Sequence, residues 1–455
     1  MNLKLRIATA RTLAAMALLG APAAFGASLL DVYQRALQSD PLIREAEATR
    51  LASREARPQA WAALLPQVNG SGSLTKSNTE GSQVIPGTTN VIDSTTDSTS
   101  KRYGASLNQT IFRWDQWASV QRADKQVALA EATYLAATQD LAVRVAQRYF
   151  SVLASQDALD ASAAAAEASA RQLEQAEKRF EVGLIAITDV QDARAERDRT
   201  AADVISAKRA LATNQELLRE ITDEPVDALA APGDDMPLNP PEPASPEDWI
   251  GVAMENNLSL VAARLNADIA SKNVAVARSG HLPTLDLSGS YNKSDSDTET
   301  TIGTLPPTSR TTSQDSKSIA LLLNVPIFSG GATQSRVRQQ VYTFRAARER
   351  VERTSRETER SARDNYMGVV SNIARVQALK QAYESSRTAM QATQAGYEVG
   401  TRTSVDVLIS QRALYSAQTA YLKSRYDYIN SVIALKQAAG LLTKDDVVEI
   451  NSWLK

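Results

Sequence analysis

The 455-residue chain has no cysteine and one histidine, His281. Thiolate chemistry, disulfides, Cys/His zinc sites and haem attachment are therefore excluded, and a His-dependent triad has one candidate base. A metal site would have to be all oxygen; neither a metal nor a cofactor is expected, and with so few nucleophiles and bases neither is an enzyme. His281 precedes Leu282-Pro283 at a helix-to-strand boundary, a structural position. The chemistry that remains is ionic. Two carboxylates, Asp189 and Asp406, each follow a glycine, Gly183 and Gly400, at the same spacing. A carboxylate in the first turn of a helix compensates the macrodipole. Thr188 with Gln191, and Thr403 with Asp406, have capping-box composition.

The elements that must carry these residues occur twice. Leu65-Pro66, Ser71-Gly72-Ser73 and Lys76-Ser77 recur as Leu282-Pro283, Ser288-Gly289-Ser290 and Lys293-Ser294. Tyr149 recurs as Tyr366, Glu181-Val182-Gly183 as Glu398-Val399-Gly400, and Asp189-Val190 as Asp406-Val407, all at an offset of 217. Near-constant offset across separated blocks marks an internal duplication. The seam, Pro225 to Pro246, holds seven of the sixteen prolines and reads as a linker.

Each half runs helix, two strands, very long helix, tight turn, second helix. Residues 27–222 form the first repeat, with strands at about 66–77 and 101–112, a long helix at 113–182 and a second at 188–222. Residues 223–246 are the linker. Residues 247–440 form the second repeat, with strands at about 283–294 and 317–328 and helices at 332–399 and 404–440; residues 441–455 close the chain. Arg113 to Val182 has neither proline nor glycine and would span about 100 Å as one helix. Val143, Ala146, Phe150 and Leu153, and then Tyr366, Val369, Ile373 and Val376, have coiled-coil spacing.

The first 26 residues read as an export leader: basic Lys4, Arg6 and Arg11, a short apolar run from Leu13 to Leu19, and a small-x-small site at Ala21-Pro22-Ala23 or Ala24-Phe25-Gly26. No later stretch reaches the roughly 18 apolar residues of a spanning helix, so entry into a membrane would have to be as a β-barrel. Lys+Arg number 50 against 52 Asp+Glu, with no basic block, so nucleic acid is not an expected partner.

The strands alternate. Tyr103, Ala105, Leu107, Gln109 and Ile111 oppose Gly104, Ser106, Asn108 and Thr110; Ile319, Leu321, Leu323, Val325 and Ile327 form another apolar face. Such alternation fits a barrel strand and also a half-buried soluble sheet; the leader and the helix lengths favour the barrel. The Ser/Thr/Asp-rich stretches Asn78–Ser100 and Asp295–Ser316 read as solvent loops. Trp61, Trp114 and Trp117 lie at strand–helix junctions, as an interfacial belt or as packing. Four strands cannot close a barrel, for which about eight are needed, so the chain must oligomerise; three copies give twelve strands. The rival from another class is an exported structural or adhesive coiled coil with a small soluble sheet.

The motifs Ala60-Trp61-x-x-Leu64-Leu65-Pro66-Gln67, Arg179-Phe180-x-Val182-Gly183-Leu184-x-Ala186-x-Thr188-Asp189-Val190, Gly280-His281-Leu282-Pro283-Thr284-Leu285 and Gly396-Tyr397-x-Val399-Gly400-Thr401-Arg402-Thr403-x-x-Asp406-Val407 resemble the TolC family of outer-membrane efflux proteins. The resemblance covers about Leu29 to Leu442. It implies a homotrimer with a mixed architecture: a 12-stranded outer-membrane β-barrel, four strands per chain, continued by a long α-helical tunnel in the periplasm. An equatorial belt would be built from Pro225–Pro246 and the C-terminus. It implies no catalysis. The duct would pass drugs, toxins or proteins delivered by an inner-membrane transporter of RND, ABC or MFS type through a periplasmic adaptor, in efflux and type I secretion, with outer-membrane lipid around the barrel.

The resemblance also assigns residues. The turns Val182, Gly183, Leu184 and Ala186, and Val399, Gly400, Thr401 and Arg402, would meet the adaptor, besides capping their helices. Tyr397 and Arg402 resemble the partners of Thr188 and Asp189 in a resting gate, an Arg–carboxylate bond with a Tyr hydroxyl. Gln172 resembles a further gate residue; the family's glutamate partner is here Gln394. Asp406 resembles a pore-facing carboxylate that would form a cation-binding ring, and the family's second aspartate is here Ile409.

Overall fold

The computed structural model describes residues 26–455 apart from 85, 86, 88, 90, 227 and 234. The expected leader therefore lies outside the described residues, save Gly26. In chain order the elements are α1 (Leu29–Ser39), α2 (Pro41–Arg54), α3 (Ala56–Ala62), β1 (Gln67–Val84), β2 (Val91–Phe112), α4 (Trp114–Glu181), α5 (Ile187–Thr222), α6 (Pro246–Asn256), α7 (Leu258–Arg278), β3 (Thr284–Ile302), β4 (Thr308–Asn324), α8 (Ala332–Glu398), α9 (Ser404–Ala438) and α10 (Lys444–Asn451). They divide into two units. Among the described residues, one comprises 26–44, 138–249 and 362–455, the other 45–137 and 250–361.

Among the described residues the second unit holds one antiparallel sheet in the order β1-β2-β3-β4, with β1 and β4 unpaired at their outer edges. The register sorts the faces. Val68, Leu107, Gly289 and Ile319 line up across all four strands, and the next row is Asn69, Ser106, Ser290 and Ser318. The apolar row lies in the open: Val68 is 73% and Ile319 85% exposed, and Leu321 and Leu323 also face outward. On the polar face a Cβ at Gly104 would come within 2.5 Å of Asn292 Oδ1 and 3.0 Å of Ser71 Oγ, so a larger residue there would push those side chains aside. Trp61 and Trp117 meet edge-to-face at 5.7 Å, and both remain part-exposed, as does Trp114.

The polar stretches read as loops are strand instead. The first hairpin pairs continuously to Val84↔Val91, and the second to Thr300↔Thr308. Side chains supplement the ladder there: Asn78 donates to Asp97 at 2.9 Å, Ser313 to Asp295 at 2.6 Å and Thr311 to Asp297 at 2.8 Å. Cross-strand hydroxyl and carboxylate pairs stabilise a sheet without any apolar alternation. At the other end β4 stops at Asn324, short of the expected 328, because Pro326 cannot donate to a ladder.

In the first unit the core follows the coiled-coil seam. Val143, Ala146, Phe150 and Leu153 are buried, as are Val369 and Val376, while Tyr366 and Ile373 are half-buried. The duplicated tyrosines thus differ in burial. The Tyr149 hydroxyl lies 2.7 Å from the Ala230 carbonyl and 3.0 Å from that of Ala27. Burial pushes its pKa upward, so it remains a neutral donor. The Pro-rich seam bridges the C-terminus through Pro232 and Leu454, and the Lys455 amide donates to Ala231 at 2.9 Å.

Candidate functional site at the helix turns

All the residues assigned to the gate and the turns lie in the first unit. α4 and α8 end alike. Gly183 and Gly400 have φ of 75° and 79°, where L side chains are strained. The Leu184 amide reaches back to the Arg179 carbonyl at 2.9 Å and the Thr401 amide to the Gly396 carbonyl at 2.8 Å, closing Schellman turns. The turns project Val182, Leu184 and Val399, which are 69%, 72% and 76% exposed.

The restarts differ, and the difference decides which carboxylate is free. α9 begins with the expected capping box. Thr403 Oγ1 accepts from the Asp406 amide at 3.2 Å, and Asp406 Oδ2 accepts from the Thr403 amide at 2.9 Å and hydroxyl at 3.0 Å. These bonds, the backbone one foremost, hold the Asp406 carboxyl below its ordinary pKa. The expected Thr188–Gln191 box does not form. The N-cap of α5 is Ala186, the repeat mate of Thr403, which has no hydroxyl to offer; Thr188 falls inside the first turn. Asp189 occupies the same helical position as Asp406, but no side-chain cap engages it.

Tyr397 and Gln172 are buried, at 5% and 6% exposure. Among the described residues the Tyr397 hydroxyl and Gln172 Nε2 have no hydrogen-bond partner. The Arg179 guanidinium covers the Tyr397 ring at 4.4 Å. Gln394 donates to Glu398 at 3.3 Å rather than pairing with Gln172. Within the chain, among the described residues, Arg402 makes no ion pair with Asp189. Its amide approaches the Gly396 carbonyl at 3.2 Å and its stem folds over Gly396, where a Cβ would come within 2.8 Å of Arg402 Cγ. Arg179 and Gly396 thus shape the packing of Tyr397 and Arg402, and motif reading left both unassigned. They are repeat mates, and the only signal in the sequence was that the duplication puts glycine opposite arginine. Ile409 is exposed one turn beyond Asp406.

Among the described residues no three or more acidic or His side chains gather to hold a metal ion, and no helix is long and apolar enough to cross a membrane.

The family model "Outer membrane efflux protein" matches residues 32–223 and 249–441, one stretch in each repeat. The outer membrane protein TolC of Vibrio cholerae serotype O1 is 36% identical over 433 residues, covering 95% of this chain and 95% of its own. The alkaline protease secretion protein AprF of Pseudomonas aeruginosa is 29% identical, covering 93% and 86%. The Campylobacter jejuni CmeC outer membrane channel superposes with a TM-score of 0.74 at 16% identity, covering 99% and 97%. The open-state Neisseria gonorrhoeae MtrE outer membrane channel does so at 0.67 and 17%, covering 91% and 89%.

Proposed function

The chain belongs to the outer membrane efflux protein family, and from that premise we propose that three copies form an exit duct through the outer membrane. The observation that carries the reading is the four-stranded sheet with two unpaired edges and an exposed apolar row. In lipid an open edge leaves backbone groups unsatisfied. Four strands close only by edge-to-edge pairing with other copies, and three copies give twelve strands, more than the roughly eight whose interior side chains fill. The long helices α4, α5, α8 and α9 form the periplasmic tunnel. No catalytic step is involved; the wall conducts what an inner-membrane transporter of RND, ABC or MFS type delivers through a periplasmic adaptor.

The exposed apolar tips Val182, Leu184 and Val399, with Gly183, Ala186, Gly400, Thr401 and Arg402 around them, are the adaptor-contact surface in this reading. Exposed apolar residues on rigid turns favour a docking role. Resting closure rests on Arg402 and Asp189 of neighbouring copies. Asp189 is available for this because Ala186 leaves it uncapped, and charge-assisted pairs of this kind are strong. Thr188 flanks the pair, while Tyr397 and Gln172 pack beneath it. Asp406 lines the entrance and serves its own cap at the same time.

The experiment is complementation. Bacteria stripped of their own duct should regain drug resistance and secretion when this chain is expressed, with the protein in the outer-membrane fraction. A chain that remains soluble in the periplasm would sink the reading.

A further inference from the structure

Above the turns, one buried carboxylate joins α5 to α9. Glu196 is 4% exposed. Arg412 engages it with two nitrogens, Nε at 2.8 Å and the Nη2 in closer contact. Arg199, three residues along α5, engages it with two more, at 2.6 Å and 3.0 Å. Arg199 also reaches Asp203 at 2.8 Å. Burial by itself would raise the Glu196 carboxyl, and the two guanidiniums override it, holding the pKa down to about 2. Beside the cluster lies a cavity of about 310 Å³, lined in part by Ser169, Thr200, Gln411 and Thr419, so the helices are not sealed there by apolar packing.

The cluster is not a product of the duplication. The repeat mates of Glu196, Arg199 and Arg412 are Ala413, Ser416 and Ala195. Small residues at those places would suit an ordinary close helix pair. A carboxylate buried between two helices from different repeats instead gives a directional link, two bonds from Arg412 across to α9 and two from Arg199 within α5. Arg412 is the partner that Glu196 has on α9, while Arg199 compensates the buried charge from its own helix. Glu196 begins its third turn of α5 and Arg412 its third turn of α9, close above the N-terminal ends that carry Asp189 and Asp406.

We propose that Glu196, clamped by Arg412 and Arg199, is a positioning residue that ties α5 to α9 within each chain and so holds the duct's turn end closed, as a second restraint acting in addition to Arg402. The inference rests on the duct reading above. The link crosses from α5 to α9, so any opening that moves the second repeat's turn against the first has to break it.

The test is single-channel recording of the assembled protein in planar bilayers, alongside its thermal unfolding. Glu196→Gln should raise the open fraction about tenfold, the order expected when a hydrogen-bonded charge pair with half-exposed arginines is broken. The exchange Glu196→Arg with Arg412→Glu, which restores opposite charges, should bring it back toward wild type. If Glu196→Gln fails to assemble, Arg412→Met serves, because Arg199 still compensates the carboxylate. A lowered unfolding temperature with unchanged opening in assembled channels overturns the proposal and leaves Glu196 a purely structural residue. Arg402→Ser separates the two readings. If wild type conducts and Arg402→Ser opens it while Glu196→Gln does not, this inference alone fails. If neither wild type nor Arg402→Ser conducts, the duct reading fails.

Discussion

Changing Tyr397 to Phe and, separately, to Ala measures what the buried ring and its hydroxyl each contribute at the turn end. The ring is 5% exposed and lies under Arg179 at 4.4 Å, while the hydroxyl has no partner. An unpaired buried hydroxyl carries a desolvation penalty of about 1–3 kcal/mol. Tyr397→Phe deletes that group and retains the ring, so stability should hold or rise by about 1 kcal/mol. Tyr397→Ala removes the ring, a loss of about 3–5 kcal/mol for an aromatic core truncation, of which the cation–π contact with Arg179 is about 1. The assay is thermal unfolding of the detergent-extracted protein, read by loss of helical circular dichroism. If Tyr397→Phe lowers stability by more than about 1 kcal/mol, the hydroxyl has a partner in the assembled duct. The argument that the ring alone matters is then refuted, and a Tyr397 bond to Asp189 or Thr188 takes its place.

Further outcomes follow from the same turns. Arg402→Ser should raise single-channel conductance well above wild type, and adding Tyr397→Phe should raise it little further; an unchanged conductance in an assembled trimer removes Arg402 from the gate. A trivalent cation applied from the periplasmic side should block the channel, more weakly after Asp406→Asn and more strongly after Ile409→Asp, because close carboxylates attract cations. Block that survives Asp406→Asn would show that this carboxylate serves only its cap. Gly183→Ala and Gly400→Ala meet no atom within 4 Å, so each should cost only the backbone strain of positive φ, about 1–2 kcal/mol by thermal unfolding. Adaptor crosslinking at the exposed tips should survive both; its loss without loss of fold would mean that the glycines themselves make the contact.

Much of this architecture was legible because period and punctuation are local. The apolar alternation through Leu107 and Ile319 marked the strands, and the absence of proline and glycine from Arg113 to Val182 marked the long helix. The outer hairpin halves were hidden for a physical reason: their ladders are stabilised by pairs such as Asn78–Asp97, which on composition read as solvent loops. The restart of α5 was misplaced because Thr188 has the right residue type two positions inside the true cap, Ala186. At the site, motif resemblance pointed to Tyr397, Arg402 and Asp189, but it could not show that Asp406 is occupied by Thr403 while Asp189 is not. The Glu196–Arg412 pair lies 216 residues apart and had no periodic signal. Its one trace was charge standing where the repeat mates are alanine.

The duct reading rests on edge closure by copies of the same chain, and native mass spectrometry of protein extracted from outer membranes in mild detergent tests that directly. Two unpaired edges on a four-stranded sheet demand partners in lipid. The account therefore requires a single species of three chains, with no monomer surviving extraction. A stable monomer recovered from the membrane would contradict it.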